Sequence, residues 1–276
     1  MSILQFTAHN HKYTSEEDIN WLSVTSFIGN FKQPFDADKI AEKTSKSKKS
    51  KWYGMTPAEI KEAWKAEANR ATTLGTWYHN QREADICGIE NMKRHGVTIP
   101  VFKPIEKDGV KYSPNQKLKD GVYPEHMVYL KSAGICGQSD LVEVVNGVVH
   151  ITDYKTNKEI KLEGYTNWEG VTQKMQPPVA HLDDCHLNHY ALQLSMYMFI
   201  ILKHNPKLTA GTLTIHHILF EEAGRDRFDN PISALDSDGN PIVLDIVQYD
   251  LPYLKKEAID LIHWLEDNKD NLKPKH

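Results

Sequence analysis

Two aspartates and a lysine stand at spacings that a pair of adjacent strands would bring together. The stretch that contains them reads GQSDLVEVVNGVVHITDYKT. Its centre, Asn146-Gly147, is the pair that most readily takes the positive φ angles of a type I′ hairpin turn. With these two as turn residues, Asp140 lies opposite Asp153, with Cβ atoms roughly 4.5 to 5.5 Å apart. Lys155 shares the face of Asp153, because side chains alternate along a strand.

The chemistry of this hairpin depends on what separates the two carboxylates. Two like charges that face each other across a strand pair destabilise it or raise one pKa, unless a cation lies between them. Oxygen ligands with no cysteine nearby favour Mg²⁺ or Mn²⁺ over zinc. A lysine beside such an ion can orient or help deprotonate a metal-bound water. We therefore expect metal-assisted hydrolysis. A surface hairpin with scattered charges is the alternative.

The same residues resemble a known family. Asp140 followed by Asp153-Tyr154-Lys155 resembles the metal-binding core of the PD-(D/E)XK nuclease superfamily. The ordered set of motifs spans residues 23 to 197 and is more specific than any one of them. It resembles the RecB-like branch, and is similar to the phage-type stand-alone exonucleases and the mitochondrial genome maintenance exonuclease. The other motifs are Ser23-Val24-Thr25, the GT-x-x-H element Gly75-Thr76-Trp77-Tyr78-His79, and the Q-x-x-x-Y element of Gln193 and Tyr197.

The resemblance implies a fold and an activity. The fold is α/β, with a mixed central β-sheet flanked by helices in a restriction-endonuclease-like core, and with an N-terminal helical arch over the site. The activity is Mg²⁺- or Mn²⁺-dependent hydrolysis of DNA from an end, with a preference for single strands. An endonuclease of the same superfamily and a non-catalytic DNA-binding or recombination accessory protein are the alternatives. Some relatives hold an iron-sulfur cluster with four cysteines, which the three dispersed cysteines of this chain cannot supply.

The resemblance also implies a role for each site residue. Lys155 would position the nucleophile, and Glu125 lies where the family often places an acidic residue on the strand before the hairpin. A surface glutamate is the alternative for Glu125. Two residues would hold the DNA strand or support the lysine, namely Gln193 and Tyr197. Four residues would bind the metal: His79, Asp140, Asp153 and, through its carbonyl, Tyr154.

A lysine-rich segment precedes the first long helix that the sequence predicts. Residues 43–51 read KTSKSKKSK and contain no acidic residue, so they cannot form a core. We expect an exposed loop that follows the phosphates of DNA, while the aromatic pair behind it stacks on bases. A solvated loop is the alternative. The residues predicted to bind DNA are Lys43, Lys46, Lys48, Lys49, Lys51, Trp52 and Tyr53.

Composition, with 40% hydrophobic and 25% charged residues, fits a globular protein with a sizeable core. With the resemblance, we expect a single nuclease domain over residues 1–276. The net charge of -4 gives no global positive field, so a DNA-binding surface must be local. Widely spaced cysteines suit a reducing cytoplasm, that of the host if the protein is viral. No signal pattern occurs at the start, and the apolar run 194–202 is too short to cross a bilayer. We expect DNA as the partner and no membrane attachment.

The remaining patterns predict the elements that position the site. Thr56 and Glu59 form a capping box, so a helix should run from 57 to about 74 and end at Gly75, with a second from 76 to about 94. Both lie in an N-terminal helical part, 27–96, and the catalytic core, 120–276, contains an insertion, 157–184. A zinc site in the His- and Cys-containing segment 181–189 matches no common spacing. Strands are expected at 125–130, 212–220 and 242–249, helices at 186–203 and 251–272, and a hairpin around residues 9–10.

Overall fold

A mixed β-sheet forms the centre of the fold, and helices flank it. The computed structural model describes residues 4–7, 12–113 and 116–268. Its helices are α1 (Val24–Ile28), α2 (Ala37–Lys46), α3 (Pro57–Cys87), α4 (His186–His204) and α5 (Lys255–Asn268). Its strands are β1 (Gln5–Thr7), β2 (Lys12–Thr14), β3 (Leu22–Ser23), β4 (Asn91–Arg94), β5 (Val97–Pro100), β6 (Ile105–Lys107), β7 (Val110–Tyr112), β8 (Gly121–Leu130), β9 (Ile135–Val145), β10 (Val148–Lys155), β11 (Thr209–Phe220), β12 (Glu222–Arg225), β13 (Pro231–Ser233) and β14 (Val243–Leu251).

The central sheet has the strand order β14-β11-β10-β9-β3, and β8 also pairs with β9. β10 and β11 are parallel, whereas β9 is antiparallel to β8 and β10. Gln193 of α4 contacts Asp153, while Tyr78 of α3 packs on Tyr154. Consecutive residues of a strand point to opposite faces, so α4 and α3 cover opposite faces of β10. The predicted mixed sheet with flanking helices is confirmed. In the described part of the chain, no helix is both long and apolar enough to cross a membrane.

The hairpin between β9 and β10 forms as its sequence predicts. Asn146 and Gly147 have φ angles of 51° and 76°, the pattern of a type I′ turn. Both of their backbone N–H groups donate to the Asp120 carboxylate, at 2.9 and 3.0 Å. Pairing runs from Val148 opposite Val145 to residue 152 opposite residue 141, which is the predicted register. The turn therefore fixes which residues meet at the far end of the two strands.

The prediction of two helices separated at Gly75 is wrong. α3 is one continuous helix of 31 residues, and the capping box at its start is present. Gly75 lies in its interior, where a Cβ atom would be 3.2 Å from Oγ1 of Thr156 at the end of β10. The glycine therefore permits close packing of helix on strand. The helix ends at Cys87, so the predicted helical part 27–96 also contains β4 and the turn that joins it to β5. The turn residues His95 and Gly96 have φ angles of 46° and 81°.

The remaining elements follow the sequence patterns with shifted ends. The strands predicted at 125–130 and 212–220 lie within β8 and β11, and the strand predicted at 242–249 corresponds to β14. The helix predicted at 186–203 is α4. α5 starts later than predicted because β14 continues to Leu251, and residues 269–272 of that prediction lie outside the described residues. The two strands of the predicted N-terminal hairpin, β1 and β2, pair with each other. The turn predicted between them lies outside the described residues. The segment 157–184 contains isolated bridges and no helix or named strand among its described residues.

Candidate metal centre

The middle of β9 and the end of β10 hold the two aspartates of the predicted site. Beyond the last hairpin pair, the backbone N–H of Tyr154 donates to Oδ2 of Asp140 at 2.7 Å. Asp153 is 1% exposed, and its Oδ1 accepts a hydrogen bond from Nε2 of Gln193 at 3.1 Å. Oδ2 of Asp153 forms an ion pair with the Lys155 ammonium. Both carboxylate oxygens of Asp153 therefore have a donor group of the protein beside them.

His79 reaches these carboxylates from α3. Its Nδ1 lies 3.3 Å from Oδ1 of Asp140 and 3.8 Å from Oε1 of Glu125. Its Nε2 lies 3.3 Å from the carbonyl oxygen of Tyr154. Ligand atoms of His79, Glu125 and Asp140 all lie within 4.8 Å of one another, an arrangement that could hold a metal ion. In the described ranges, this is the one such group of three or more His, Cys, Asp or Glu residues.

Glu125 takes a backbone conformation that glutamate rarely adopts. It has a φ of 50°, in the left-handed region, which costs on the order of 1–3 kcal/mol. The pairing of β8 with β9 continues on both sides of it, with 124 opposite 141 and 126 opposite 139. Glu125 and Asp140 therefore stand opposite each other at an interruption of the ladder. Gln138 donates to Oε2 of Glu125 at 2.6 Å, and Nζ of Lys111 lies 3.9 Å from the same oxygen.

The cluster alternates negative and positive groups. Burial, and then the charge of Asp140, raises the pKa of Asp153 to about 6. Burial pushes the pKa of Asp140 up, but His79 and Lys155 outweigh it and hold that pKa below its usual value. Burial also opposes the charged form of His79, yet Asp140 and Glu125 raise its pKa to about 11. The pKa of Lys155 is likewise raised, because Asp153 and Asp140 outweigh its burial. Binding of a metal to His79 must therefore displace a proton.

Gln193 and Tyr197 lie one turn apart on the face of α4 that meets the sheet. Gln193 links the two, because its Nε2 donates to Asp153 and lies 3.4 Å from the hydroxyl of Tyr197. Tyr197 is 2% exposed and packs against Gly137 on β9, where a Cβ atom would lie 2.6 Å from the tyrosine ring. The pair therefore supports the Asp153 carboxylate from within the protein and presents little surface to a ligand.

The lysine-rich segment is only partly the loop that its composition predicts. Lys43 and Lys46 lie in the last turn of α2, because Asp36 caps that helix and Glu42 pairs with Lys46 at 2.6 Å. Lys48 and Lys49 follow in turns, and Lys51 places Nζ 4.3 Å from the centre of the Trp52 ring. Tyr53 is 53% exposed, whereas Trp52 packs edge-on against Trp64 of α3. The prediction of a loop is therefore wrong for its first two lysines.

Two other sequence features have structural partners. Ser23 of the SVT motif caps α1 by accepting a hydrogen bond from the backbone of Ser26. The residues considered for zinc do not converge: His181 pairs with Glu257 and His189 with Asp184, at 3.0 and 2.6 Å. The thiol of Cys185 donates to the carbonyl of Leu162, and His186 lies 3.2 Å from that of Glu159. These contacts tie the segment 157–184 to α4 and α5.

Sequence reasoning missed four residues around the centre. Gln138 lies two residues before Asp140 on the same strand face, a spacing that strand periodicity could have revealed. Lys111 and Glu83 pair at 2.7 Å beside Glu125, and they come from β7 and α3, so local sequence gave no signal. Tyr190 lies one turn before Gln193 on α4, and Nζ of Lys155 is 5.0 Å from the centre of its ring. Its spacing from Gln193 was the available signal.

No protein-family model matches the sequence, and no curated protein matches it. A solved structure described as "Crystal structure of SSO0001" is similar at 12% sequence identity and a TM-score of 0.31. The alignment covers 94% of this chain and 81% of that chain. A likeness at that TM-score carries no argument about the fold or the activity of this protein.

Proposed function

We propose that this chain is a divalent-metal-dependent DNA exonuclease, built on a restriction-endonuclease-like core with an N-terminal helical arch. The observation that carries the proposal is the convergence of His79, Glu125 and Asp140 within 4.8 Å, beside the ion pair of Asp153 and Lys155. The strained φ of Glu125 adds to it, because rare backbone conformations cluster at functional sites. The resemblance of the motifs to the RecB-like nucleases supplies the reaction.

The residues present fit a divalent cation. His79, Glu125 and Asp140 would hold it, with Asp153 and the carbonyl of Tyr154 within the same cluster. The buried Oδ2 of Asp153, which pairs with Lys155, has a second lone pair that could face a cation. Carboxylates suit Mg²⁺ and Mn²⁺, and one imidazole among them favours Mn²⁺. When bound, the cation would lower the pKa of a water and offset the charge that develops on the scissile phosphate.

The side chains of this protein divide the remaining work. Lys155 stays protonated because its pKa is raised, so it would act as a hydrogen-bond donor and positive charge, not as a base. Gln193 would hold the Asp153 carboxylate in one orientation through Oδ1. Gln138 would hold Glu125 in the same way, and its hydrogen bond at 2.6 Å occupies the oxygen that does not face His79.

The helices before the predicted catalytic core would supply the preference for DNA ends and single strands. α2 and α3 precede the core, and α3 carries His79 to the centre. An arch formed from this helical part would admit a strand by its end. The lysines of residues 43–51 and the aromatics behind them would hold that strand by its phosphates and bases.

The experiment is an incubation of end-labelled linear single-stranded, linear double-stranded and covalently closed circular DNA with Mg²⁺, Mn²⁺ or a chelator. We expect loss of terminal nucleotides from linear DNA with either metal, none with chelator, and intact closed circles. Nicking of closed circles would favour an endonuclease. Retention of DNA without cleavage under every condition would refute the enzyme proposal and favour a binding protein on the same fold.

A further inference from the structure

A cavity of about 630 Å³ adjoins the candidate metal centre. It lies between β8 and the segment that carries β6 and β7, and Glu125 forms part of its wall. A volume of this size is typical of a pocket that encloses one small-molecule-sized unit, and it excludes a DNA duplex. The cavity and the metal centre therefore share a residue without being the same space.

The charge of the cavity is positive. Its wall contains four lysines and one carboxylate, that of Glu125. Nζ of Lys111 is 2.7 Å from Glu83 and therefore already neutralised in part. Lys103 and Lys119 have no carboxylate within 4.0 Å among the described residues. A protein of net charge -4 that gathers lysines in one concave wall provides a local site for an anion. The four lysines are Lys103, Lys111, Lys117 and Lys119.

The rest of the wall is aromatic and apolar. Phe102 and Tyr123 stack with ring centres 4.8 Å apart, and Nζ of Lys119 lies 4.9 Å from the centre of the Phe102 ring. This arrangement requires Gly121, because a Cβ atom there would lie 2.3 Å from the Phe102 ring. Leu118 and other apolar side chains complete the surface. The wall thus combines ammonium groups with apolar area, which suits a ligand that has both an anionic and an apolar part.

His126 adds an observation of a different kind. It lies in the cavity wall, is 3% exposed, and its Nε2 has no hydrogen-bond partner among the described residues. Buried polar atoms are nearly always satisfied by protein, water or ligand. An unpartnered nitrogen in the wall of a cavity therefore indicates that a further molecule completes the hydrogen bonding there.

We propose that this cavity binds one nucleotide of the DNA strand, with a phosphate at Lys103 and Lys119 and the sugar and base against the apolar wall. The assignment to the substrate strand rests on the proposed nuclease function, because Glu125 is common to the cavity and the metal centre. A nucleotide held there lies next to the reacting phosphate and sets how the strand end enters. Nucleotide binding itself needs no metal, so it can be measured separately from cleavage.

The test is isothermal titration calorimetry in the presence of chelator. The probes are deoxyadenosine 5′-monophosphate, deoxyadenosine 3′-monophosphate, deoxyadenosine and inorganic phosphate. We expect at least one monophosphate to bind about tenfold or more tightly than either deoxyadenosine or phosphate alone, because charge-assisted hydrogen bonds and apolar contacts both contribute. The better of the two monophosphates identifies which side of the sugar carries the phosphate at the lysines.

The variant is Lys103→Gln with Lys119→Gln, and both positions are exposed, so the fold should be unaffected. The double variant should weaken monophosphate binding about tenfold or more. The control Lys65→Gln with Lys255→Gln makes the same change of charge outside the cavity and should bind as the parent does. Each single lysine variant should give an intermediate affinity.

Several outcomes would overturn the inference. These are no binding of either monophosphate, equal binding of deoxyadenosine, or an unchanged affinity in the double variant. If monophosphate binding follows the prediction while no DNA is cleaved with any metal, the cavity stands and the nuclease proposal fails. If DNA is cleaved and the lysine pair has no effect on nucleotide binding, the nuclease proposal stands and the cavity inference fails.

Discussion

Lys155 carries a positive charge that the neighbouring carboxylates stabilise. Burial opposes that charge, but Asp153 and Asp140 outweigh it and raise the pKa of the lysine, so the ammonium persists at neutral pH. Lys155→Ala should therefore lower kcat about 100-fold or more, with little change in the Kd for DNA, because the role we propose for this charge is in the transition state. Single-turnover cleavage and filter binding measure the two quantities. Lys161→Ala is the control. Equal kcat values in the two variants would show that Lys155 has no role in the reaction.

Asp153 makes the stability of the metal-free protein depend on pH. Burial and the charge of Asp140 raise its pKa from 3.8 to about 6. Between pH 3.8 and about pH 6 the folded state keeps a proton on Asp153 that the unfolded state releases. The stability that this protonated carboxyl contributes to the folded state is therefore full below about pH 4 and is lost as the pH rises through 6. Asp153→Asn should thus gain up to about 3 kcal/mol of unfolding free energy relative to the parent between pH 4 and pH 7.

The measurement for Asp153 is urea unfolding in chelator at several pH values. The comparison is internal, because the difference between variant and parent is followed with pH and any constant cost of the substitution cancels. A difference that stays flat from pH 4 to pH 7 would show that the carboxyl is not held in the folded state as the structure indicates.

At the scale of elements, the contact between α3 and β10 sets the position of His79. A Cβ atom at Gly75 would lie 3.2 Å from Oγ1 of Thr156, and a longer side chain would have no room. Gly75→Leu should therefore push α3 away from β10. We expect Mn²⁺ affinity to fall about tenfold or more, since metal ligands must hold their geometry closely. Thr72→Leu is on the same helix at an exposed position and should have no effect. Titration calorimetry with Mn²⁺ measures both, and equal affinities would contradict this account of the glycine.

The same glycine shows why the sequence predicts some elements and not others. The hairpin of β9 and β10 is correct to the residue pair because its register depends on a local turn, Asn146-Gly147. Gly75 lies inside α3, where its partner is Thr156, a residue far away in the chain. A prediction from neighbouring residues alone cannot detect that partner and takes the glycine for a helix end. The start of α3 is correct for the opposite reason, since Thr56 and Glu59 cap it within one turn.

At the scale of the whole molecule, the proposed function requires a chain of net charge -4 to hold a polyanion, and local lysines are the groups that could do so. Replacement of Lys46, Lys48 and Lys49 by Gln should weaken DNA binding at all sequences and flatten the salt dependence of log K by up to about 2 for single strands. KM should rise more than kcat falls, because these residues lie outside the metal cluster. The control replaces Lys203, Lys207 and Lys255 by Gln. If the salt dependence of log K is unchanged in the first variant, residues 43–51 are a solvated surface that does not contact DNA.

The candidate site could be predicted from the sequence only where its residues are close in the chain or match an ordered motif. Asp140, Asp153 and Lys155 follow from one hairpin, and His79 was implied by the motif resemblance. Lys111 and Glu83 surround Glu125 through the packing of β7 and α3, which no pattern near Glu125 indicates. The left-handed backbone of Glu125 is equally invisible in the sequence, because glutamate has no preference for it.

We propose that a metal held at this cluster makes the protein cleave DNA from an end. The initial rate of nucleotide release from end-labelled linear single-stranded DNA in Mn²⁺ tests this for the parent and for Asp140→Asn. The asparagine can keep the contact to the backbone of Tyr154 while it removes the ligand charge. We predict release that chelator abolishes and that the variant lowers about 1000-fold or more. Release that persists in chelator, or that the variant supports at the parent's rate, would contradict the account.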